Sequence, residues 1–284
     1  MDWLEWLKVV IIGIVEGVTE WLPISSTGHM ILVNEIIQLN VSEAFWRMFE
    51  VVIQLGAIMA VVVIYWKKIF PFGKGPSHQP LVEKGILSYV DKDIFWMWIK
   101  ILVACLPAAI VGIAFNDLFE ALFFNYVSVS IALIVFGVAF IVIEMKHKGV
   151  APAVNDLKSI TFKLALLIGL FQLIAAIFPG TSRSGATIVG ALMLGISRTV
   201  AAEFTFFLSI PVMFGASLLK IAKFGLAFTQ LEFGILVVGM VTAFVVSMLV
   251  IGFLMRYIKK HDFTVFGWYR IALGAVVLAY FGIF

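Results

Sequence analysis

Charged residues are scarce in this chain. Lysine, arginine, aspartate and glutamate together make up 13% of its 284 residues, about half the share usual in soluble domains, which excludes an ordinary water-facing globule. The net charge of +3 is small, and no nucleic-acid partner is expected. Cysteine is nearly absent. Cys105 alone leaves no intrachain disulfide and no thiolate metal site; it falls in an apolar run and is read as having no chemical role. The opening MDWLEWLKVV carries acids beside one lysine and leads to no small-residue cleavage site, so it is read as part of the fold and not as a removed signal peptide.

What fills the chain instead is hydrocarbon. Hydrophobic residues reach 63% and the mean hydropathy is +1.11, the values of an all-α integral membrane protein. A span needs about 20 apolar residues. Uninterrupted runs of that order lie at 46–66, 93–114, 126–145, 199–219, 232–255 and 266–284. Two further apolar stretches differ: 4–38 is broken at PISSTGH, and 161–196 is broken at PGTSRSGAT. Backbone that leaves the helix at membrane depth is tolerated only where protein or a wet cavity covers it, so both stretches are expected to be re-entrant helical hairpins.

The two broken stretches resemble each other. With Pro23 set on Pro179, Gly13 meets Gly169, Glu16 meets Gln172, Ser25 meets Thr181 and Ser26 meets Ser182; after one inserted residue Gly28 meets Gly185. Beyond them, EVVIQLGAIMA from Glu50 matches EFTFFLSIPVM from Glu203. The chain therefore divides into two repeats, 1–150 and 151–284, each a hairpin plus three spans in one integrated membrane domain. A hairpin returns to its own side while three spans cross, so the second repeat is expected to be inverted relative to the first, bringing both interruptions together near the midplane.

Basic residues give the orientation. One side collects Lys67, Lys68, Lys74, Lys84, Lys92, Lys146, Lys148, Lys158, Arg256, Lys259 and Lys260, whereas the other offers mainly Lys8, Arg47, Lys220 and Lys223. The first side is expected to be cytoplasmic, which puts both termini and the PISSTGH hairpin outside. The loop from 67 to 92, with KGPSHQP inside it, reads as a flexible connector.

Ionisable groups near mid-bilayer cost at least about 2.5 to 3.5 kcal/mol each, so those present need a reason. Glu16 and Glu20 are four apart and share a helical face. Such a pair can hold a divalent cation or divide acid and base duties, unless it simply faces interfacial water. His29 follows Ser25, Ser26, Thr27 and Gly28, and a hydroxyl beside an imidazole is the minimum for an activated nucleophile; a structural histidine behind capping hydroxyls is the plainer alternative. Arg183 stands among Thr181, Ser182, Ser184, Gly185 and Thr187 just before a helical segment, which is what a phosphate oxyanion wants. Glu50, Gln54, Glu203 and Gln172 are candidate supporting groups. Together the two hairpins read as the halves of a phosphoryl-transfer site whose substrate joins a phosphate to a lipid.

EGVTEWLPISSTGHM and PGTSRSGATI, together with FEVVIQLGAI and SRTVAAEFTFFLSIPVM, resemble the signature regions of the undecaprenyl-diphosphate phosphatase family, bacterial membrane enzymes associated with bacitracin resistance. The resemblance covers essentially the whole chain. It implies hydrolysis of the lipid diphosphate to the monophosphate that carries cell-wall precursors, in the bacterial inner membrane, with dependence on Mg²⁺ or Ca²⁺. Joined to the residues, it implies Ser26 attacking phosphorus, His29 moving protons, Arg183 with its hydroxyl neighbours holding the diphosphate, and Glu16 and Glu20 binding the cation. A carrier that moves a polyprenyl phosphate across the bilayer would also use Arg183 and the glutamates, but has no need of a nucleophile. A homodimer is compatible with all of this.

Overall fold

With no water to bond to, a backbone in hydrocarbon must satisfy its own N–H and C=O groups, and an apolar run does so as helix. The structure, a computed structural model describing residues 3–73, 79–225 and 227–283 without the side chains of 116, 117 and 120, is accordingly helical. The helices are α1 (Trp3–Thr19), α2 (Ser26–Ile36), α3 (Glu43–Val52), α4 (Gln54–Ile64), α5 (Trp66–Ile69), α6 (Lys92–Phe123), α7 (Tyr126–His147), α8 (Phe162–Ile177), α9 (Arg183–Met193), α10 (Arg198–Phe224), α11 (Gln230–Tyr257) and α12 (Thr264–Ile283).

Among the described residues, six segments are long and apolar enough to cross a membrane: Glu43–Ile64, Lys92–Phe115, Tyr126–His147, Arg198–Phe224, Gln230–Tyr257 and Thr264–Ile283. They coincide with the six runs read from the sequence. The first combines α3 and α4, which are separated only by Ile53; the Ile53 N–H still bonds to Phe49 O at 2.9 Å, and Gly56 N–H turns back to Ile53 O at 3.0 Å. The two interrupted stretches each form a pair of short helices, α1 with α2 and α8 with α9, of 17, 11, 16 and 11 residues. All four fall short of the roughly 20 residues that a span requires.

Packing of the two pairs is matched. α1 lies against α11 and α8 against α6, while α7 and α12 pack on each other. Small residues set these distances. A Cβ on Gly169 would stand 2.3 Å from Ala104 O on α6, and one on Gly13 would stand 2.7 Å from Thr242 Cβ on α11. Gly137 and Gly267 touch reciprocally, each placing a would-be Cβ 2.7 Å from the other's carbonyl oxygen. Without a hydrophobic force between helices in lipid, such close backbone approach supplies the van der Waals contact that holds them.

The described ends of the 67–92 connector are tied together. Phe72 pairs with Val90 and Pro80 with Asp91, and Asp91 Oδ1 caps α6 by accepting from Asp93 N–H at 3.0 Å and Ile94 N–H at 3.1 Å. Short backbone bridges and one carboxylate thus close its ends. Lys74 and most of KGPSHQP fall at 74–78, outside the described residues.

Gly169→Leu should push α8 off α6 and cost about 1–3 kcal/mol of stability. Thermal inactivation of the detergent-solubilised protein checks this, with Gly112→Leu, where a Cβ meets nothing within 4 Å, expected to behave as wild type.

Candidate active site

The site forms where the loops 20–25 and 178–182 meet. Each loop ends in a serine that begins the next helix. Ser25 accepts the Gly28 N–H at 3.3 Å to start α2, and Ser182 accepts the Gly185 N–H at 3.1 Å to start α9. Both serines have positive φ, 73° and 68°, and they are the only non-glycine residues with it among those described. That conformation costs an L-residue about 1–3 kcal/mol and persists only where the surroundings impose it.

These equivalent caps correct the register read from the sequence. Ser25 corresponds to Ser182 and not to Thr181, so the inserted residue of the second loop precedes the cap. Ser26 then corresponds to Arg183. A hydroxyl in one half occupies the place of a guanidinium in the other.

Glu20 joins the halves. Ser26 Oγ donates to Glu20 Oε2 at 2.8 Å, and Arg183 Nη2 donates to Glu20 Oε1 at 2.7 Å. Ser184 Oγ also donates to the Glu20 carbonyl at 3.3 Å and lies 3.1 Å from Ser182 Oγ. Arg183 is a bridge with a spare end: Nη1 is buried without a hydrogen-bond partner among the described residues. It lines a cavity of about 160 Å³ with Glu20, Ser26, Ser182 and, from α10, Met213 and Ala216. Ser26, Thr27 and Gln54 also line a second cavity, of about 190 Å³, whose wall includes Glu16 and Glu50. Through Asn34, Trp46, Glu50 and Phe124 the second is continuous with an opening of about 660 Å³ flanked by Glu43 and Arg47.

Several expected residues stand elsewhere. His29 does not reach Ser26 Oγ; its Nδ1 bonds to Ser25 O and its Nε2 to Tyr269 Oη, both at 2.7 Å. With a carbonyl on Nδ1, that nitrogen must carry the proton, so the neutral ring accepts the Tyr269 hydroxyl at Nε2. Thr187 donates to Arg183 O at 2.9 Å and receives Thr205 Oγ1 at 2.9 Å, bracing α9 rather than facing a cavity. Thr181 and Gln172 are buried with side-chain polar atoms unpartnered among the described residues. Gly28 and Gly185 give room, the first beside Leu133 and the second beneath the Arg270 guanidinium. Glu203 is bound by Lys68 at 2.8 and 2.9 Å in a separate charged cavity with Asp91 and Lys158. It precedes Met213 by ten residues of α10, about 15 Å of helical rise.

The sequence reading overlooked Arg270. Fully buried in α12, it donates to Thr181 O at 2.7 Å, Gly180 O at 3.0 Å, Pro23 O at 3.3 Å and Leu133 O at 3.4 Å. One guanidinium thus ties both loops to the α7–α12 pair. The signal was available, because an arginine inside an apolar span is costly and marks function by default.

A family model described as "Bacitracin resistance protein BacA" matches residues 9–276. The chain belongs to this family. It is similar to "Undecaprenyl-diphosphatase 1" of Clostridium acetobutylicum, 62% identical over 99% of both chains. Similar too are proteins named "Undecaprenyl-diphosphatase" from Desulfitobacterium hafniense, 60% identical over 99% of this chain and 98% of that one, and from Enterococcus faecalis, 57% identical over 98% of both. The match spans both loops and Ser26, Glu20 and Arg183, which meet between them.

Arg270→Met keeps the apolar stem but leaves four carbonyls short of a donor. Unmade buried hydrogen bonds cost about 1–3 kcal/mol each, so this variant should be among the least stable single substitutions in the protein. Thermal unfolding in detergent, beside Arg256→Met as a solvent-facing comparison, reads this out.

Proposed function

We propose that this protein is a phosphatase that cleaves undecaprenyl diphosphate to undecaprenyl phosphate and inorganic phosphate, recycling the lipid carrier of cell-wall synthesis and conferring bacitracin resistance. The Ser26–Glu20–Arg183 chain carries this reading: a hydroxyl bonded to a carboxylate, with a guanidinium nitrogen left over, opens into one cavity. A carrier needs no such hydroxyl–carboxylate pair.

Arg183 Nη1 and the Ser182 hydroxyl receive the terminal phosphate. Ser26 Oγ attacks its phosphorus as the hydroxyl proton passes to Glu20 Oε2. The bond from that phosphorus to the bridging oxygen breaks, the electron pair leaves with the lipid phosphate, and Glu20 returns the proton to it. Water then attacks the phosphoserine and gives a proton to Glu20, which passes it to Ser26 Oγ as the phosphorus–oxygen bond opens. Positioning and charge stabilisation dominate, as is usual in phosphoryl transfer. Val212, Met213 and Ala216 on α10 give the cavity an apolar wall for the start of the prenyl chain. His29 acts by holding the Ser25 turn, through its bond to the Ser25 carbonyl.

The residues fit a divalent cation. Glu16 is 1% exposed, its Oε1 has no partner among the described residues, and the donors around it are oxygens suited to a hard ion. When bound, Mg²⁺ or Ca²⁺ supplies positive charge to the phosphate oxygens.

The protein is multi-pass. Within it we infer two inverted repeats with re-entrant hairpins, supported by the matched helix pairs, the reciprocal Gly137–Gly267 contact and the twin serine caps. Basic loops face the cytoplasm of the inner membrane and the Glu43–Arg47 opening faces outward. α10 supports the second half of that statement: it begins near Lys68 and ends against α3, where Phe224 meets Phe45 at 6.0 Å.

Phosphate release by purified protein in detergent, with Mg²⁺ or Ca²⁺ and again with chelator, tests the activity. Ser26→Ala and Arg183→Ala should each lower kcat by about 10³-fold or more, and Glu20→Gln should join them. His29→Ala should lose only about ten- to a hundredfold, the penalty of misplacement. Equal losses for His29→Ala and Ser26→Ala would return the proton transfer to His29; no release from folded wild type would replace the phosphatase with a carrier. For orientation, a Cys105→Ala protein carrying Ser42→Cys should react with an impermeant maleimide on spheroplasts. One carrying Lys67→Cys should react only after lysis.

A further inference from the structure

Tyr269 and Arg270 are neighbours on α12, and successive helical side chains point about 100° apart. Arg270 turns to the two loops, whereas Tyr269 reaches the first turn of α2, where its hydroxyl lies 2.7 Å from His29 Nε2. The two rings are parallel to within 7°, with centroids 5.6 Å apart. From its other nitrogen, Nδ1, the imidazole donates to the Ser25 carbonyl at 2.7 Å. α12 thus meets the chain on both sides of Ser25: Arg270 donates to the Pro23 carbonyl before it, and Tyr269 holds His29 after it. What depends on that second contact is a strained turn. Ser25 keeps φ at 73°, a conformation that persists only where neighbours impose it. The regular helical bond to its carbonyl, from the His29 backbone N–H, is stretched to 3.4 Å, so the shorter bond from Nδ1 carries the contact. A carbonyl only accepts, which requires the proton on Nδ1. Neutral histidine in water favours the proton on Nε2 instead, and the partner of one ring nitrogen decides the state of the other. A phenol hydroxyl donating to Nε2 removes that choice.

Resting on the phosphatase reading, we propose that Tyr269 is a positioning residue of the reaction: through His29 it fixes the imidazole proton on Nδ1, and so holds the Ser25 turn that aims Ser26 Oγ at Glu20. Ser25 and Ser26 are consecutive, so a tilt of the Ser25 peptide moves the root of the attacking side chain, and small misplacements of a reacting group are costly in rate. Tyr269 lines neither the 160 Å³ nor the 190 Å³ cavity. Its effect therefore falls on the placement of the hydroxyl and not on capture of the phosphate.

Tyr269 is 46% exposed and Tyr269→Phe keeps the ring, so this variant should fold with the thermal stability of wild type. It should lower kcat by about three- to tenfold, less than His29→Ala because the imidazole remains, and leave KM unchanged. His29→Asn offers the Ser25 carbonyl a side-chain N–H that has no second tautomer, and on that background Tyr269→Phe should change kcat by less than about twofold. NMR of isotope-labelled histidine in detergent reads the tautomer directly. The His29 signal, identified by its loss in His29→Asn, should show Nδ1–H in wild type and move toward Nε2–H in Tyr269→Phe. An Nε2–H pattern in wild type overturns the assignment whether or not any variant of Tyr269 folds. So does an unshifted pattern in Tyr269→Phe, a wild-type kcat in that variant, a rise in KM in place of the fall in kcat, or the same loss with and without His29→Asn. Phosphate release by the same wild-type preparation separates the two failures: release with an unshifted pattern in Tyr269→Phe removes the role of Tyr269 alone, whereas no release removes the phosphatase reading beneath it.

Discussion

Buried backbone that leaves the helix must find hydrogen-bond partners, and in this fold Arg270 supplies them. The loops 20–25 and 178–182 leave the helix, so their carbonyls lose intrahelical donors. A single buried guanidinium donates to Pro23 on one loop and to Gly180 and Thr181 on the other, with Leu133 of α7 as its fourth acceptor. Its planar fork of five N–H groups suits this role in a way that a lysine's compact ammonium does not. The same contacts fix the distance between the two loops. Stability and alignment of the site come from one residue.

Glu20 plays the corresponding part for chemistry. It lies where α1 has just ended, and its two oxygens face opposite halves of the protein, one taken by Ser26 and the other by Arg183. An exposed ion pair contributes little, but this one is buried, with side-chain exposures of 15% and 6%, and breaking such a pair leaves an uncompensated charge. The placement of the Ser26 hydroxyl and that of the Arg183 guanidinium are therefore linked. Moving Arg183 also moves the carboxylate that orders Ser26.

Much of this was legible in the sequence. Apolar runs of the right length coincide with the six helices among the described residues that are long and apolar enough to cross a membrane, because length and composition set both, and the two polar interruptions marked the loops. The meeting of Ser26, Glu20 and Arg183 followed from the likeness between them. Three things were not legible. The likeness left a one-residue gap to place, and only the backbone, with Ser25 and Ser182 both at positive φ, shows that it precedes the cap. His29 stands three residues after Ser26, but helical rotation and its bonds to Ser25 and Tyr269 take the imidazole away from the hydroxyl. Glu203 aligns with Glu50 in the sequence, yet Lys68, distant in sequence, claims it. Each is a question of tertiary partners, which periodicity does not encode.

The corrected register has a consequence for how such a protein can be divided or copied. After the positive-φ serine, one half carries Ser26 and the other Arg183, so the halves are complementary rather than redundant. Two copies of either half would lack the Ser26–Glu20–Arg183 chain, which takes Ser26 and Glu20 from one and Arg183 from the other. A cut between α7 and α8, with both fragments made in the same membrane, keeps one of each. Such a division separates what the two loop–helix pairs have in common, a serine cap at positive φ, from what they do not, a hydroxyl in one and a guanidinium in the other at the next position.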